Sequence, residues 1–188
     1  NTNYSICLLE KGSEIGAHIL SGNVFQPNAL DELLPNWKDL NAPLNVPVKK
    51  DKIFYFLKNI GIPVPPFVMP AMNNHGNYVI SLGNLCRWLG EQAENLGVEI
   101  FPGFPASKLL IEDNKVVGVQ TVDMGISQSG ELKEANEPGI NIKAKLTILG
   151  EGCRGHLGKQ VINKFSLSEG KVPLHYGIGF REVWKVAP

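Results

Sequence analysis

The stretch Leu146–Gly158, LTILGEGCRGHLG, decides how the rest of the chain is read. A short apolar run, Leu146, Thr147, Ile148 and Leu149, has the make-up of a buried strand. It meets a turn spelling Gly-x-Gly-x-x-Gly across Gly150, Gly152 and Gly155, and an amphipathic segment, His156 to Phe165, follows. Such a turn lets backbone approach a phosphate and aims helix N–H groups at its charge. On the pattern alone a plain structural turn competes with a nucleotide loop, because a glycine-rich chain produces such matches by chance.

Two details bear on that choice. Glu151 sits inside the turn, where a carboxylate repels a pyrophosphate but can accept hydrogen bonds from sugar hydroxyls. A first dinucleotide loop also needs a second strand ending in an acid about 20 residues on. Downstream lies SLSEGKVPLHYGIGF, with no such strand; the one that fits lies upstream, Ser5 to Leu9, closing on Glu10. That order reads as the late, second loop of a flavin-binding fold. Glu10 is then placed to accept both hydroxyls of a ribose, against the simpler reading that it ends a surface-reaching strand.

Length and composition set the bounds. A chain of 188 residues holds one large domain or one and a half small ones, with apolar residues enough for a sizeable core. Lys and Arg balance Asp and Glu at 18 each, which gives no basic footprint for nucleic acid and no polybasic membrane patch. Cys7, Cys86 and Cys153 are widely spaced and odd in number, so neither a disulfide framework nor a zinc or cluster motif is visible. Reduced thiols are expected, with Cys7 in the core. No run of about 18 apolar residues is present to span a bilayer as a simple helix, and the opening residues do not read as a signal peptide. The chain opens in an extended strand and stops in another, Gly177 to Val186, and is expected to be an internal piece of something longer.

Ile15 to Leu30, IGAHILSGNVFQPNAL, carries no Asp, Glu, Lys or Arg. It reads either as a buried loop feeding amides into a cofactor pocket, followed by a short helix from Asn28, or as a surface dipping into lipid through Ile19, Leu20, Val24, Phe25, Leu30, Leu33 and Leu34. Prolines punctuate Pro35 to Pro70, which excludes all but brief helix and leaves Ile53–Leu57 as a strand. His75, in the turn MNNHGNY, is expected to be an exposed loop residue, with no acid or cysteine at metal spacing. Tyr78–Ile80, an amphipathic helix over Leu82–Leu96 ending at Gly97, and Val98–Phe101 predict a strand–helix–strand unit with a parallel crossover. Arg87, Glu91 and Glu94 form the helix's solvated face. Ser107–Glu112 and Val116–Asp123 predict an antiparallel pair about Asp113-Asn114. Gln128–Pro138 is expected to be a surface hairpin or loop, and Ile140–Leu149 to re-enter the sheet. A parallel sheet interrupted by an antiparallel β insert and re-entered through a Gly-acid-Gly turn is the layout of an FAD-binding fold of the glutathione-reductase type, here incomplete.

The strings LLEKGSEIGAHILSG, PVPPFVMPAMNNHGNY, LGEQAENLGVEIFPGFPA and ILGEGCRGHLGKQ together resemble electron transfer flavoprotein–ubiquinone oxidoreductases, from Ile6 to about Val186. The resemblance implies an α/β architecture in which residues 1–34 and 77–165 belong to the FAD-binding part. Residues 35–76 and 166–188 then belong to a second, quinone-binding α+β domain. It implies a monotopic membrane protein, on the matrix face of the mitochondrial inner membrane or on a bacterial cytoplasmic membrane. FAD and one four-iron four-sulfur cluster would carry electrons from reduced electron transfer flavoprotein to ubiquinone, with no nucleic acid partner. Glu10 would hold the adenosine ribose beside Lys11, and Gly16, Ser21 and Gly22 would run beside the flavin. Ala106 would pass backbone against the adenine, while Gly150, Glu151, Gly152 and Gly155 would lie at the ribityl and phosphate end. The resemblance also favours lipid contact from Ile19 onward. It carries no acid–base or nucleophilic role, His75 included, because the reaction is electron transfer. Ser81 stands where related flavoproteins place an arginine, and the cluster's ligands and a first glycine loop are not in this sequence, so the chain alone is expected to bind FAD weakly and not turn over. The residues themselves leave two other readings open. One is a geranylgeranyl-reductase-like or monooxygenase-like FAD enzyme using NAD(P)H, and the other a flavin-free scaffold or lipid-surface module.

Overall fold

The computed structural model describes residues 4–19, 22–127, 129 and 131–178. In chain order the elements are β1 (Ile6–Glu10), β2 (Asn23–Phe25), α1 (Asn28–Leu33), β3 (Val46–Pro47), β4 (Ile53–Leu57), β5 (Ile60–Val64), β6 (Tyr78–Ile80), α2 (Leu82–Asn95), β7 (Val98–Pro102), β8 (Ala106–Glu112), β9 (Lys115–Thr121), β10 (Met124–Ile126), β11 (Leu132–Glu137), β12 (Asn141–Lys143) and α3 (His156–Lys164). The architecture is mixed α/β, with one parallel strand pair and several antiparallel sheets. The chain divides into two compact units. One takes in the chain through Ile6 and again Ile15–Glu99; the other takes in Cys7–Glu14 and the chain from Ile100 onward.

The first unit is built on tryptophan. Leu30, Trp37, Ala42, Leu44, Ile80, Leu85 and Trp88 form its buried cluster, with Phe25, Leu34, Tyr78, Leu82 and Leu89 packed against it. Trp37 meets Tyr78 edge to face at 5.8 Å. Each indole N–H finds an acceptor, Asp31 Oδ1 for Trp37 and the Leu40 carbonyl for Trp88, as a buried tryptophan requires. α2 is the helix the periodicity predicts. The Ser81 hydroxyl accepts from the Asn84 N–H, Leu85 turns inward, and Arg87, Glu91 and Glu94 face solvent. Gly97, at φ +89°, takes the left-handed turn that stops it.

The crossover expected around α2 does not form. β6 has β2 antiparallel on one edge and β3 antiparallel on the other, so it has no edge left for β7, which pairs with β1 instead. β4 is the predicted strand, and it pairs with β5 as an isolated hairpin. Phe54, Tyr55, Phe56, Ile60 and Ile62 of that hairpin stand largely in solvent.

In the second unit β8 and β9 pair about Asp113 and Asn114, both at positive φ, which suits the right-handed twist of a tight hairpin. β12 joins the outer edge of β9, antiparallel, over Asn141–Lys143. β10 and β11 pair as a hairpin; β11 falls in the Gln128–Pro138 stretch expected to be a surface hairpin or loop, while β10 lies upstream of it, at Met124–Ile126. Leu146–Leu149, expected to be a buried strand, is not one. Leu146 and Ile148 are 75% and 83% exposed, and the buried Thr147 hydroxyl has no hydrogen-bond partner among the described residues. The run is apolar enough to fill a sheet, but no described strand pairs with it. Cys7, expected in the core, is exposed on β1. The strand expected over Gly177–Val186 falls mostly outside the described residues.

Candidate functional site

β1 and β7 end side by side. The two strands pair in parallel, so their carboxyl ends share one rim; just past it the Phe104 N–H donates to the Glu10 carbonyl at 3.1 Å and the Gly103 N–H to the Gly12 carbonyl at 2.7 Å. Glu10 is half-buried on that rim, and its Oε1 accepts from the Gly12 N–H at 2.6 Å. Among the described residues nothing else donates to this carboxylate. One bond orients the group and leaves Oε2 able to accept from a hydroxyl. Lys11 beside it is exposed. The rings of Phe101 and Phe104 meet edge to face at 6.2 Å around the Pro102-Gly103 turn. Ala106, two residues past Phe104, opens β8 half-buried. The structure thus brings Glu10 and the entry to Ala106 to one place.

The glycine turn is arranged differently from its motif. Gly152, at φ +77°, reverses the chain, and α3 begins after Gly155. The Glu151 side chain folds forward, so that Oε1 accepts from the Leu157 N–H at 3.1 Å and Oε2 from the Gly158 N–H at 2.8 Å. The helix amides expected to point at a phosphate are therefore held by the chain's own carboxylate. Gly150, Glu151 and Gly152 remain exposed. α3 is docked by two features, the buried Leu157 and the Gln160 amide. Gln160 Nε2 donates to the Ser107 carbonyl at 2.8 Å, and its Oε1 accepts from the Leu109 N–H at 3.2 Å. One side chain thus satisfies part of β8's outer edge as a neighbouring strand would. Sequence reasoning missed both roles. A glycine at the helix's first boundary, with an acid four residues earlier, is the signal that would have pointed to Glu151.

In the first unit, Gly16 is buried at φ +79°, and a Cβ there would lie 2.8 Å from the Gly83 carbonyl oxygen. The loop backbone thus rests directly on the start of α2. Gly22, at φ +83°, is exposed, and Leu20 and Ser21 lie outside the described residues. The lipid-facing set divides. Leu30 is 4% exposed in the core, and Phe25 and Leu34 pack against it, so these three serve the fold. Val24 and Leu33, at 44% and 69% exposed, are open to an outside surface, and Ile19 is half-buried.

His75 lies exposed in its turn, at the side of a cleft of about 120 Å³ lined by Val48, Asp51, Ile53, Val64 and Met69. That space is smaller than the few hundred Å³ of an ordinary ligand pocket. Among the described residues no three His, Cys, Asp or Glu side chains converge as a metal site would require, and no helix is long and apolar enough to cross a membrane.

No family model matches the chain. Curated proteins do. Electron transfer flavoprotein-ubiquinone oxidoreductase of Pseudomonas aeruginosa is 55% identical over 98% of this chain and 34% of its own length. The mitochondrial proteins of the same name from Arabidopsis thaliana and Homo sapiens are 48% and 47% identical, over 99% and 96% of this chain and 29% and 30% of their own lengths. Among solved structures, Thermovibrio ammonificans THI4 is similar at 14% identity with a TM-score of 0.47, over 87% of this chain and 53% of that one. The chain spans about a third of the length of the curated relatives it matches, and along that span it is a homologue of the electron transfer flavoprotein–ubiquinone oxidoreductases.

Proposed function

We propose that the chain is part of a membrane-associated flavoprotein that passes electrons from reduced electron transfer flavoprotein, through an iron–sulfur cluster and FAD, to ubiquinone. The observation that carries this reading is the identity of about half of all residues, across nearly the whole chain, to relatives so named. Residues 1–34 and 77–165 supply the FAD-binding part, of glutathione-reductase type, and residues 35–76 and 166–188 belong to the quinone-binding domain. The cluster's ligands lie outside this sequence. The protein works at the mitochondrial inner membrane or a bacterial cytoplasmic membrane, with Ile19, Val24 and Leu33 as the described residues of the lipid-facing set left to meet lipid, beside Leu20.

The geometry at the rim of β1 and β7 fits a nucleotide's sugar. Glu10 is oriented by one backbone amide and keeps an oxygen for ribose hydroxyls, and the Gly103–Ala106 turn beside it offers backbone to an adenine. The glycine turn before α3 fits less well as a phosphate cradle, because its amides are taken. Bound FAD would supply electron transfer one at a time. The chain's own residues bind and orient: Glu10 and Lys11 at the adenosine end, Gly16 and Gly22 beside the ring, Glu151 at the ribityl end.

The deciding experiment measures turnover of the full protein with reduced electron transfer flavoprotein against NADPH, with a ubiquinone analogue as acceptor. Turnover with the flavoprotein alone is expected. NADPH-driven turnover overturns the reading in favour of a nicotinamide-dependent flavoenzyme.

A further inference from the structure

Between Leu40 and Ile80 the chain carries one acid, Asp51, against four lysines, Lys49, Lys50, Lys52 and Lys58, although the whole chain is neutral. Lys49 and Lys50 line the small cleft beside His75, whose apolar wall is Val48, Ile53, Val64, Met69 and Met72. The acid is engaged elsewhere: Asp51 Oδ2 accepts from the backbone and the side-chain N–H of Asn74, at 3.0 and 2.9 Å. Asparagines also fix the turn that carries His75. The His75 backbone N–H donates to Asn73 Oδ1 at 3.0 Å, and Asn77 Nδ2 to Asn74 Oδ1 at 3.2 Å. The imidazole takes no part in this net and stays exposed at the side of the cleft. The apolar wall also extends outward. Ile53 and Val64 face each other at the base of the β4–β5 hairpin. Residues two apart on a strand share a face, so the pairs Tyr55 with Ile62 and Leu57 with Ile60 continue that face to the tip, all four exposed. Lys58 follows at the tip.

We propose that the cleft and the hairpin face beside it form a binding site for an anionic phospholipid at the bilayer surface. Lys49, Lys50 and the His75 ring N–H hold the headgroup phosphate, and the apolar wall takes the upper part of one acyl chain. Lysines attract a phosphate as point charges while their stems lie along apolar surface. An apolar face with a tyrosine in it and lysines at both ends matches the boundary between headgroups and acyl chains. The hydrocarbon core does not suit it, because among the described residues β4 and β5 pair only with each other, and their open edges need water. The cleft, of about 120 Å³, is too small to enclose a whole ligand, as befits a site that holds one end of a lipid. This site adds a preference for negative charge that Ile15 to Leu30, without a single cation, does not supply. From the proposed function the inference takes only that the protein meets a membrane.

The test floats the full protein on vesicles of phosphatidylcholine, with and without phosphatidylglycerol. Wild type is expected to bind the mixed vesicles more tightly. The double variant Lys49→Ala, Lys50→Ala is expected to lose about 10- to 30-fold in affinity for mixed vesicles, as two lysines beside an anionic surface contribute, and to bind neutral vesicles as before. Lys49→Arg with Lys50→Arg keeps the charge and is expected to restore binding, which a merely structural role would not require. His75→Ala, an independent variant in an exposed turn, is expected to cost about threefold on mixed vesicles alone. Inorganic phosphate at matched ionic strength is expected to release nothing, because it lacks the acyl chain. Release by phosphate makes the cleft a free-phosphate site and overturns the proposal. So does an alanine double variant that binds mixed vesicles as tightly as wild type. Leu33→Ser, in the stretch already proposed to meet lipid, is expected to weaken binding to both vesicle types alike. That loss beside an unaffected lysine variant keeps the membrane reading and removes this site, whereas a wild type that binds neither vesicle overturns both.

Discussion

Two loops of the second unit each place a glutamate near a helix start or a strand end, and they use it in opposite ways. After β1, Glu10 gives one oxygen to the Gly12 amide and keeps the other. Before α3, Glu151 gives both oxygens to successive helix amides. A carboxylate's availability to a ligand is thus set by how many unpaired N–H groups the following residues turn toward it, and a helix start presents several. The loop with the glycine motif is the more closed of the two toward anions, and the loop with no motif is the more open.

Glu10→Ala tests the open side of that contrast most strongly. It is expected to weaken FAD retention in the full protein about 10- to 100-fold, since hydrogen bonds to a charged group contribute roughly 1.5–3 kcal/mol. The exposed Glu94→Ala on α2 serves as control, and equal flavin content in the two purified variants would remove Glu10 from the site. Gly16→Ala comes next. It forces a side chain to positive φ and a Cβ to 2.8 Å from the Gly83 carbonyl, and should lower stability by about 2–3 kcal/mol, read as a shift in urea midpoint. Gln160→Leu takes the two hydrogen bonds from β8's edge and should cost roughly 1–3 kcal/mol. An unchanged midpoint would mean Leu157 alone docks the helix. Lys11→Ala should be least costly. The side chain is exposed, its stability effect should fall within about 0.5 kcal/mol, and flavin loss beyond about threefold would show that charge near Glu10 contributes beside the hydrogen bond.

Elements with a complete local signature could be read in advance. α2 has its periodicity and the Gly97 stop, and β8 and β9 have the Asp113-Asn114 turn. What failed depended on partners. Leu146–Leu149 and Cys7 have the apolar make-up of buried strand, but composition does not say which neighbour covers them. β6 was legible as a strand, whereas its two neighbours come from residues 23–25 and 46–47, through segments with little periodicity of their own. Leu30 and Leu33 sit three apart on one short helix, yet Leu30 is buried and Leu33 is not. Leu30 joins the buried cluster that holds Trp37 and Trp88, and Leu33 does not. At the site, Glu10 was marked by the strand it ends. The work of Glu151 was hidden because the bonds it makes run forward to amides six and seven residues on.

The meeting of Gly16 with Gly83 has a mechanical consequence. Where two main chains touch with no side chain between them, neither can shift without the other, because no rotamer is available to absorb the movement. Gly83 lies in the first turn of α2, whose Leu85 and Trp88 are locked in the tryptophan core. The loop at residues 15–19 is therefore tied, backbone to backbone, to the helix that carries two members of that core.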